Sequence, residues 1–307
     1  MKKFVSLLLA LVLMLTCCAA FADAASDDSL QKILDKGQLI MGLDDSFPPM
    51  GYRDENGEIV GFDVDVAREV CNRLGVELVL QPISWDAKVL ELNGGNIDCI
   101  WNGFTITDEL KEQLTFSEPY LANTQVIVVR GDSEAQTLAD LAGKNLGVQA
   151  GSSAVVALDA NPEFRDSVTV NEFKDNMTAM LDLENGGLDA VLVDVIVAGY
   201  YFSQHDSDFR MLDEALATEE YGVGFRKDDL ALVNKVNELL NEMAADGTLA
   251  EISTKWFSSD ITIIGKDAAE GDSAEAADAE TDGQTDAADT TATDDEATDA
   301  DAGTAEE

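Results

Sequence analysis

The sequence DCIWNGFTITDELKEQLTFSEPY, residues 98–120, gives the strongest indication of the fold. Residues 99–101 are apolar and predict a buried strand, residues 102–107 are mostly polar and predict a corner, and a short helix is predicted next. In α/β sheets, ligands bind at such corners, where free backbone N–H groups and hydroxyls converge. We therefore expect a ligand site that includes Asn102, Gly103 and Thr105.

Predicted strands and helices alternate on both sides of this corner. Before it, the pattern predicts a helix, a strand, a helix, a strand and a helix over 29–36, 38–43, 62–74, 76–81 and 87–92. After it, predicted strands lie over 124–130, 145–149, 168–173, 189–193 and 221–225, with helices between them and over 229–245 and 249–257. This alternation is typical of sheets flanked by helices, so we predict an α/β fold.

The first 22 residues have the pattern of a secretory signal peptide. Lys2 and Lys3 precede an apolar run, and Ala20-Phe21-Ala22 is a small-x-small cleavage site. The run of about 12 residues is shorter than the roughly 20 needed to span a bilayer, so we expect an exported, extracytoplasmic protein. Cys17 and Cys18 leave a second interpretation open, a lipid anchor at the N-terminus.

Residues 267–307 differ in composition from the rest of the chain. They contain 16 acidic residues and no base or aromatic residue. Such a segment cannot bury enough apolar surface to offset its chain entropy, so we predict a disordered acidic tail. The whole chain has a formal net charge of −42. Without the tail and the two signal-peptide lysines, 45 acids and 17 bases leave about −28, which argues against nucleic acid as a partner.

Two cysteines, Cys71 and Cys99, remain after the signal peptide. The first lies on the apolar face of a predicted helix and the second in a predicted strand. An oxidising compartment permits a disulfide between them, but two cysteines are too few for a disulfide framework. We expect two separate buried thiols and leave a disulfide open as the alternative.

Four motifs together resemble one protein family. GFDVDVA, NGFTITDE, FSEPY and GTLAEISTKWF occur in the order found in the extracytoplasmic polar-amino-acid-binding proteins of ABC importers, the family 3 solute-binding proteins. The resemblance extends over nearly all of residues 28–262. It implies a type II periplasmic-binding-protein fold, with two lobes and two chain crossings between them. It also implies an ABC transporter permease as partner, with no cofactor and no metal.

The resemblance further implies the lobe boundaries. The first lobe would comprise residues 28–126 and 222–262, and the second residues 127–221. The segments TQVIVV and EEYGVGF are the matching crossings. We expect a monomer that closes its two lobes on a small-molecule ligand.

Several residues match the family's ligand site. Phe47 and Trp85 match the aromatic residues that enclose the ligand's side chain, and ordinary core packing is the alternative for both. Asp194, at the end of a predicted strand, matches the aspartate that binds the ligand's α-amino group; helix capping is the alternative. Further candidates are Asp44, Gln149, Ser152 and Ser153.

Leu110 departs from the family pattern. In the family, the corner carries an arginine at this position, and that arginine holds the ligand's α-carboxylate. Losing such a contact in a closed cleft costs about 2–5 kcal/mol. Lys111 is adjacent, but on a helix it points about 100° away from residue 110, and a register shift that turns Lys111 into the cleft is the alternative. The ligand would therefore be a polar or cationic amino acid held by Thr105, Ser152 and Ser153, or an amine analogue without the carboxylate.

The sequence contains little that indicates catalysis. His205 lies in a polar loop, and no Cys/His metal spacing, nucleophile elbow or phosphate loop occurs. We therefore predict that the protein is not an enzyme. One alternative is an enzyme similar to the cyclohexadienyl (arogenate) dehydratases, with Glu172 or Glu219 as the acid. Another is a ligand sensor without transport.

Overall fold

The computed structural model describes residues 27–205 and 208–266. The predicted signal peptide, Cys17, Cys18 and the predicted acidic tail lie outside this part of the chain. Within it, no helix combines the length and the apolar character needed to cross a membrane.

Helices and strands alternate along the described residues. The helices are α1 (Ser29–Lys36), α2 (Phe62–Leu74), α3 (Lys88–Asn93), α4 (Asp108–Gln113), α5 (Ser153–Asp159), α6 (Pro162–Ser167), α7 (Asn176–Glu184), α8 (Val195–Gln204), α9 (Leu230–Asp246) and α10 (Thr248–Phe257). The strands are β1 (Gln38–Leu43), β2 (Ser46–Phe47), β3 (Gly51–Arg53), β4 (Ile59–Val60), β5 (Glu77–Pro82), β6 (Cys99–Ile100), β7 (Leu114–Phe116), β8 (Leu121–Arg130), β9 (Asn145–Gln149), β10 (Thr169–Phe173), β11 (Ala190–Asp194), β12 (Phe209–Met211), β13 (Ala217–Tyr221) and β14 (Gly224–Arg226). Short 3-10 helices lie at Trp85–Ala87 and Leu138–Leu141.

Local sequence signals set several helix boundaries. Helix α2 ends at Gly75, whose left-handed conformation (φ 74°) lets its N–H close the last turn. Helix α4 begins after Thr107, whose hydroxyl accepts the backbone N–H of Leu110 at 3.2 Å. The second signal fixes the helix directly after the corner that the sequence analysis singled out.

The first lobe contains a five-stranded sheet in the order β5-β1-β6-β14-β7. Strand β1 pairs in parallel with β5 and β6, while β14 is antiparallel to β6 and β7. Helix α9 packs against α1, α2 and α10. The apolar side chains of α2, including Phe62, Val66 and Val70, are fully buried in this core.

The second lobe contains a six-stranded sheet in which β10-β9-β11-β8-β12 follow one another and β13 also pairs with β8. Strand β9 is parallel to β10 and β11, and β8 is antiparallel to β11, β12 and β13. Helices α5 and α7 pack on β9 and β11. Two mixed sheets with flanking helices agree with the α/β class predicted from the sequence.

The chain passes from the second sheet to the first between β13 and β14. Tyr221, the last residue of β13, pairs with Leu121 in the second sheet, whereas Gly224 pairs with Ile100 in the first. The prediction of one strand over 221–225 was therefore wrong, because that segment is divided between two sheets. The lobe boundaries themselves stay a prediction.

The small sheet β2-β3-β4 was not predicted from the sequence. Its strands have two or three residues each, too few to show the alternation that identifies a strand. This sheet positions Phe47.

The structure decides between a disulfide and two separate thiols. Cys71 and Cys99 are free and buried, as expected from the sequence.

Candidate functional site

Three polar side chains lie at the carboxyl ends of parallel strands. Asp44 follows β1, Gln149 is the last residue of β9, and Asp194 is the last residue of β11. All three are buried. Because β1 belongs to the first sheet and the other two strands to the second, these strand ends meet where the lobes face each other.

A cavity of about 210 Å³ lies between these strand ends. The predicted site residues that line it are Phe47, Trp85, Gly103, Thr105, Leu110, Gln149, Ser152, Ser153 and Asp194. Asp44 and Asn102 do not line it but are joined to each other, since Asn102 Oδ1 accepts the backbone N–H of Asp44 at 3.1 Å. The structure thus brings the predicted residues to one place, and their roles toward a ligand stay predictions.

Asp194 is held by three donors on one oxygen. Its Oδ1 accepts from the Tyr221 hydroxyl at 2.6 Å, the Asn123 amide at 2.6 Å and the Gln125 amide at 2.9 Å. Among the described residues, no side chain donates to Oδ2. Because Asp194 lines the cavity, Oδ2 is the oxygen that can accept a hydrogen bond from a ligand.

A second carboxylate, Glu219, lies beside it. Its Oε2 is within 3.0–3.2 Å of four donors, the side chains of Thr105, Asn123, Gln125 and Ser153. Thr105 and Ser153 were predicted from the sequence to hold a ligand's carboxylate. In the structure, a carboxylate of the protein itself is hydrogen-bonded to both of these hydroxyls.

Strand β8 explains why the two carboxylates share donors. In the sheet register, Gln125 faces Asp194 on β11, and Asn123 faces Glu219 on β13. Residues two apart on a strand point to the same face, so both amides lie on the side of the carboxylates. β8 thus places two neutral donors between two acidic groups.

The charge of this acid pair is not balanced by the protein. Burial raises the pKa of Asp194 to about 6, and the negative charge of Glu219 acts on it in the same direction. No cationic side chain of residues 27–205 and 208–266 forms an ion pair with either carboxylate. Asp194 lines the cavity, and Glu219 is hydrogen-bonded to the lining residues Thr105 and Ser153. A cationic group that entered the cavity would therefore meet the Asp194 carboxylate with the negative charge of Glu219 beside it.

A short hydrogen bond joins the two lobes at Asp44. Gln149 Nε2 donates to Asp44 Oδ2 at 2.6 Å, and the Ser46 N–H donates to Oδ1 at 2.9 Å. Burial raises the pKa of Asp44 to about 6. Both of its oxygens thus have partners within the protein, and a direct contact of Asp44 with the ligand stays a prediction.

The corner after β6 is held by a fully buried carboxyl group. Asp63 Oδ2 accepts the Gly103 N–H at 2.7 Å and the Tyr120 hydroxyl at 2.9 Å, and burial raises its pKa to about 7. Gly103 has φ +54°, and a Cβ there would lie 2.6 Å from Phe47 Cε1. Only glycine fits, because Phe47 lies directly against the corner.

Lys88, the first residue of α3, is a cation in the cavity wall that the sequence analysis missed. Its Nζ donates to the carbonyl oxygens of Trp85 at 3.1 Å and Gly151 at 2.6 Å, and lies 4.9 Å from the centroid of the Trp85 ring. The side chain is 7% exposed, and burial lowers its pKa to about 8. Since Gly151 lies between β9 and α5, this contact also joins the lobes.

Leu110 and Lys111 point to different surroundings. Leu110 lines the cavity and packs on an apolar cluster that includes Trp85 and Phe104. Lys111 is exposed and pairs with Asp108 at 3.2 Å. The alternative in which Lys111 turns into the cleft is therefore not the arrangement that the structure shows.

The lobes also approach each other closely at Gly151. It has φ +67°, and a Cβ there would lie 2.8 Å from the backbone Cα of Asp86 in the first lobe. A backbone atom cannot move aside as a flexible side chain can. The lobes can therefore meet in this way only with glycine at position 151.

Lys88 and four polar residues at the acid pair were not among the predicted ligand-binding residues. Asn123 and Gln125 are polar residues two apart at the start of an otherwise apolar strand, and Glu219 and Tyr221 repeat that spacing. This spacing places each pair on one face of its strand, a signal that the sequence carries. Glu172, named with Glu219 as a candidate acid, is exposed, and neither of the two is among the residues that line the cavity.

Comparison with known proteins identifies the family. Residues 39–259 match the model of the bacterial extracellular solute-binding proteins, family 3. The chain belongs to this family. The L-cystine-binding protein of Escherichia coli is 35% identical over 240 residues, which cover 78% of this chain and 89% of that protein. The arginine-binding extracellular protein of Bacillus subtilis is 32% identical over 267 residues, covering 85% and 100%.

Solved structures agree with this assignment. An ABC uptake transporter substrate-binding protein from Streptococcus pneumoniae with bound histidine has a TM-score of 0.75 and 38% identity, covering 78% of this chain and 99% of that chain. An ancestral amino acid-binding protein described as a precursor of cyclohexadienyl dehydratase has a TM-score of 0.69 and 32% identity, covering 75% and 99%.

These matches confirm three of the predictions from the sequence. They are the family, the two-lobe α/β fold and the function of an extracytoplasmic solute-binding protein of an ABC importer. The position of signal cleavage and the alternative of a lipid anchor stay predictions.

Proposed function

We propose that the protein binds a polar or cationic amino acid, or an amine analogue, in the cleft between its lobes and presents it to an ABC transporter permease. By their names, relatives of this chain bind cystine and arginine, and a structural neighbour contains bound histidine. All three of these ligands carry an ammonium group. The single observation that best supports the proposal is the unbalanced acid pair of Asp194 and Glu219.

The acid pair has the chemistry of an ammonium site. Two carboxylates that share the Asn123 and Gln125 amides repel each other in a buried cavity. A ligand ammonium relieves that repulsion and donates charge-assisted hydrogen bonds, which are about twice as strong as neutral ones. The site therefore selects for a cationic group and against an additional anion at the same place.

Two aromatic residues provide the walls for the rest of the ligand. Phe47 and Trp85 line the cavity, and both are less than a tenth exposed. Flat aromatic faces bury the apolar part of a ligand and attract a cation placed above them. This supports ligands that have a short apolar stem and a polar or cationic end.

Closure of the lobes supplies the conformational signal for transport. The Asp44–Gln149 and Lys88–Gly151 hydrogen bonds both join the lobes, so both depend on closure. Ligand contacts from both lobes would favour the closed form over the open one. We propose that a monomer in this closed form is what the permease recognises.

A thermal-shift panel tests the proposal. We expect arginine, histidine or cystine, or their amine analogues agmatine, histamine and cystamine, to raise the melting temperature. Succinate and glutarate, dicarboxylates without an ammonium group, serve as anionic controls, and we expect neither to raise it. Stabilisation by the dicarboxylates alone would contradict the proposal.

We propose that binding is the whole activity and that the dehydratase alternative does not apply. A dehydratase needs an acid that donates a proton to a leaving hydroxyl. Glu219 Oε2 instead accepts from four donors, an arrangement that occupies this oxygen as an acceptor and not as a proton donor. Turnover of prephenate or arogenate, followed by absorbance, would contradict this part of the proposal.

A further inference from the structure

The cavity carries opposite charges on different parts of its wall. Among the described residues that line it, Lys88 is the only one with a cationic side chain. It comes from α3 in the first lobe, whereas Asp194 ends β11 in the second. A ligand with both an ammonium and a carboxylate could use both charges.

One N–H group of the Lys88 ammonium has no hydrogen-bond partner among the described residues. An ammonium has three N–H groups, and its two partners among the described residues are the carbonyls of Trp85 and Gly151. No carboxylate of the described residues forms an ion pair with it; Asp86, exposed on the surface, is the acidic residue whose charge acts on its pKa. A buried ammonium without a counter-ion is costly, so a bound anion would stabilise it.

We propose that Lys88 binds the carboxylate of a zwitterionic ligand whose ammonium is bound by Asp194 and Glu219. This inference rests on the proposed function and narrows the ligand to amino acids rather than amines. Lys88 thereby becomes a residue that determines specificity.

The surroundings of Lys88 explain how one lysine can serve this role. Its Nζ lies over the Trp85 ring and 5.9 Å from the centroid of Phe104, and Leu110 packs on the same apolar cluster. Leu110 thus adds to the apolar wall that excludes water from the ammonium. An ion pair formed where water is excluded is stronger than the same pair at the surface.

The location of Lys88 also connects anion binding to closure. Its hydrogen bond to Gly151 exists only when the lobes meet. A ligand carboxylate on Nζ would lie at the same junction. Binding of the carboxylate and closure of the cleft would therefore stabilise each other.

The test compares an amino acid with its own decarboxylated amine. The pairs are arginine with agmatine, histidine with histamine, and cystine with cystamine, titrated by calorimetry into wild-type protein and the Lys88→Met variant. Methionine keeps the length and apolar character of the lysine stem and removes the charge. We expect affinity for the amino acid to fall roughly ten- to a hundredfold, as for loss of one hydrogen bond to a charged group. Affinity for the amine should fall by less than about threefold, because for the amine the variant loses only the Lys88–Gly151 contact between the lobes.

Two further variants control this experiment. Lys111→Met removes an exposed lysine outside the cavity and should leave both affinities unchanged. Lys88→Met/Leu110→Arg returns a cation to the same wall and should recover part of the lost affinity for the amino acid. Binding of the amine to Lys88→Met shows at once that this variant is folded.

The outcomes separate this inference from the proposed function. An equal loss for amino acid and amine in Lys88→Met would show a contact that only closes the lobes, and would overturn the inference alone. So would a wild-type protein that binds amines more tightly than amino acids. Wild-type protein that binds none of the six compounds would contradict the inference and the proposed function together.

Discussion

The acid pair and Lys88 differ in how the protein holds their charges. Asp194 and Glu219 lie on β11 and β13, and their amide donors lie on β8, so strands of one sheet build the pair. Lys88 instead depends on a carbonyl in the opposite lobe. The first site can exist before the lobes close, whereas the second is completed by closure. We therefore expect the ligand's ammonium to bind first and its carboxylate contact to form as the lobes close.

The largest loss of ligand affinity should come from removing a charge of the acid pair, Asp194 and Glu219. Asp194→Asn keeps the shape of the side chain and removes its charge, which leaves a buried ligand cation without its partner. Loss of such a pair costs about 2–5 kcal/mol, so we expect roughly a thirty-fold to several-thousand-fold weaker binding of both arginine and agmatine. Isothermal titration calorimetry measures this directly.

A matched pair of variants tests the second carboxylate. We expect Glu219→Gln to weaken both ligands as well, because Oε2 lies among the same donors. Glu220→Gln changes the neighbouring exposed residue on the opposite face of β13 and should have no effect. Equal affinities for wild-type protein and Asp194→Asn would refute the acid pair as the ammonium site.

A somewhat smaller effect should come from preventing closure. Gly151→Ala places a Cβ 2.8 Å from the Asp86 backbone and strains a positive φ. Strain of this kind costs about 1–3 kcal/mol, so we expect about five- to a hundredfold weaker binding, and a smaller ligand-induced decrease in the radius of gyration by small-angle scattering.

Gly143→Ala is the matched control for this variant. Gly143 also has a positive φ, +76°, but a Cβ at this position would meet no atom of the described residues within 4 Å beyond its chain neighbours. It therefore carries the same backbone strain without the contact between lobes. If both variants bind ligand equally well, the close approach at Gly151 does not limit closure.

The part of the site that lies at strand ends could be predicted from the sequence. Gln149 and Asp194 follow apolar runs directly, and parallel strands bring their ends to one edge. Glu219 was named only as a candidate acid, because its segment has no apolar run of its own and depends on pairing with β8. Such pairing joins residues almost 100 positions apart, and no local pattern contains it.

The role of Lys88 also could not be predicted from a local sequence pattern. In the sequence it follows Trp85-Asp86-Ala87 and resembles an ordinary surface lysine at the start of a helix. Only the tertiary structure shows that it is buried and reaches Gly151, 63 positions away. Lys111 was the cation considered from the sequence because it adjoins Leu110, but neighbours on a helix point in different directions.

Lower pH should weaken the ammonium site without changing the charge of Lys88. The pKa of Asp194 is raised to about 6, so the carboxylate is mostly ionised at pH 7 and mostly protonated at pH 5. Since only the ionised form attracts a cation, affinity should rise with pH through about 6 and fall about tenfold between pH 7 and pH 5. Calorimetry with agmatine measures this change.

Two variants identify the carboxyl group whose protonation changes the affinity for agmatine. Asp44 also has a pKa raised to about 6 and lies at the junction of the lobes. We expect Asp44→Asn to keep the pH dependence of agmatine binding and Asp194→Asn to lose it. The reverse result would place the titrating group at the Asp44–Gln149 contact instead.

The smallest effect should come from Leu110→Arg in the wild-type background. If Lys88 already binds the carboxylate, a second cation on the same wall adds little, and we expect affinity for arginine to change by less than about threefold. The same substitution in Lys88→Met should increase that affinity more strongly, so the two effects are not additive, as expected for residues that share a partner. A strong gain in the wild-type background, confined to amino acids and absent for agmatine, would show that the carboxylate has no anchor at Lys88. The double-mutant cycle therefore decides whether the lysine has replaced an anchor at Leu110 or only holds the lobes together.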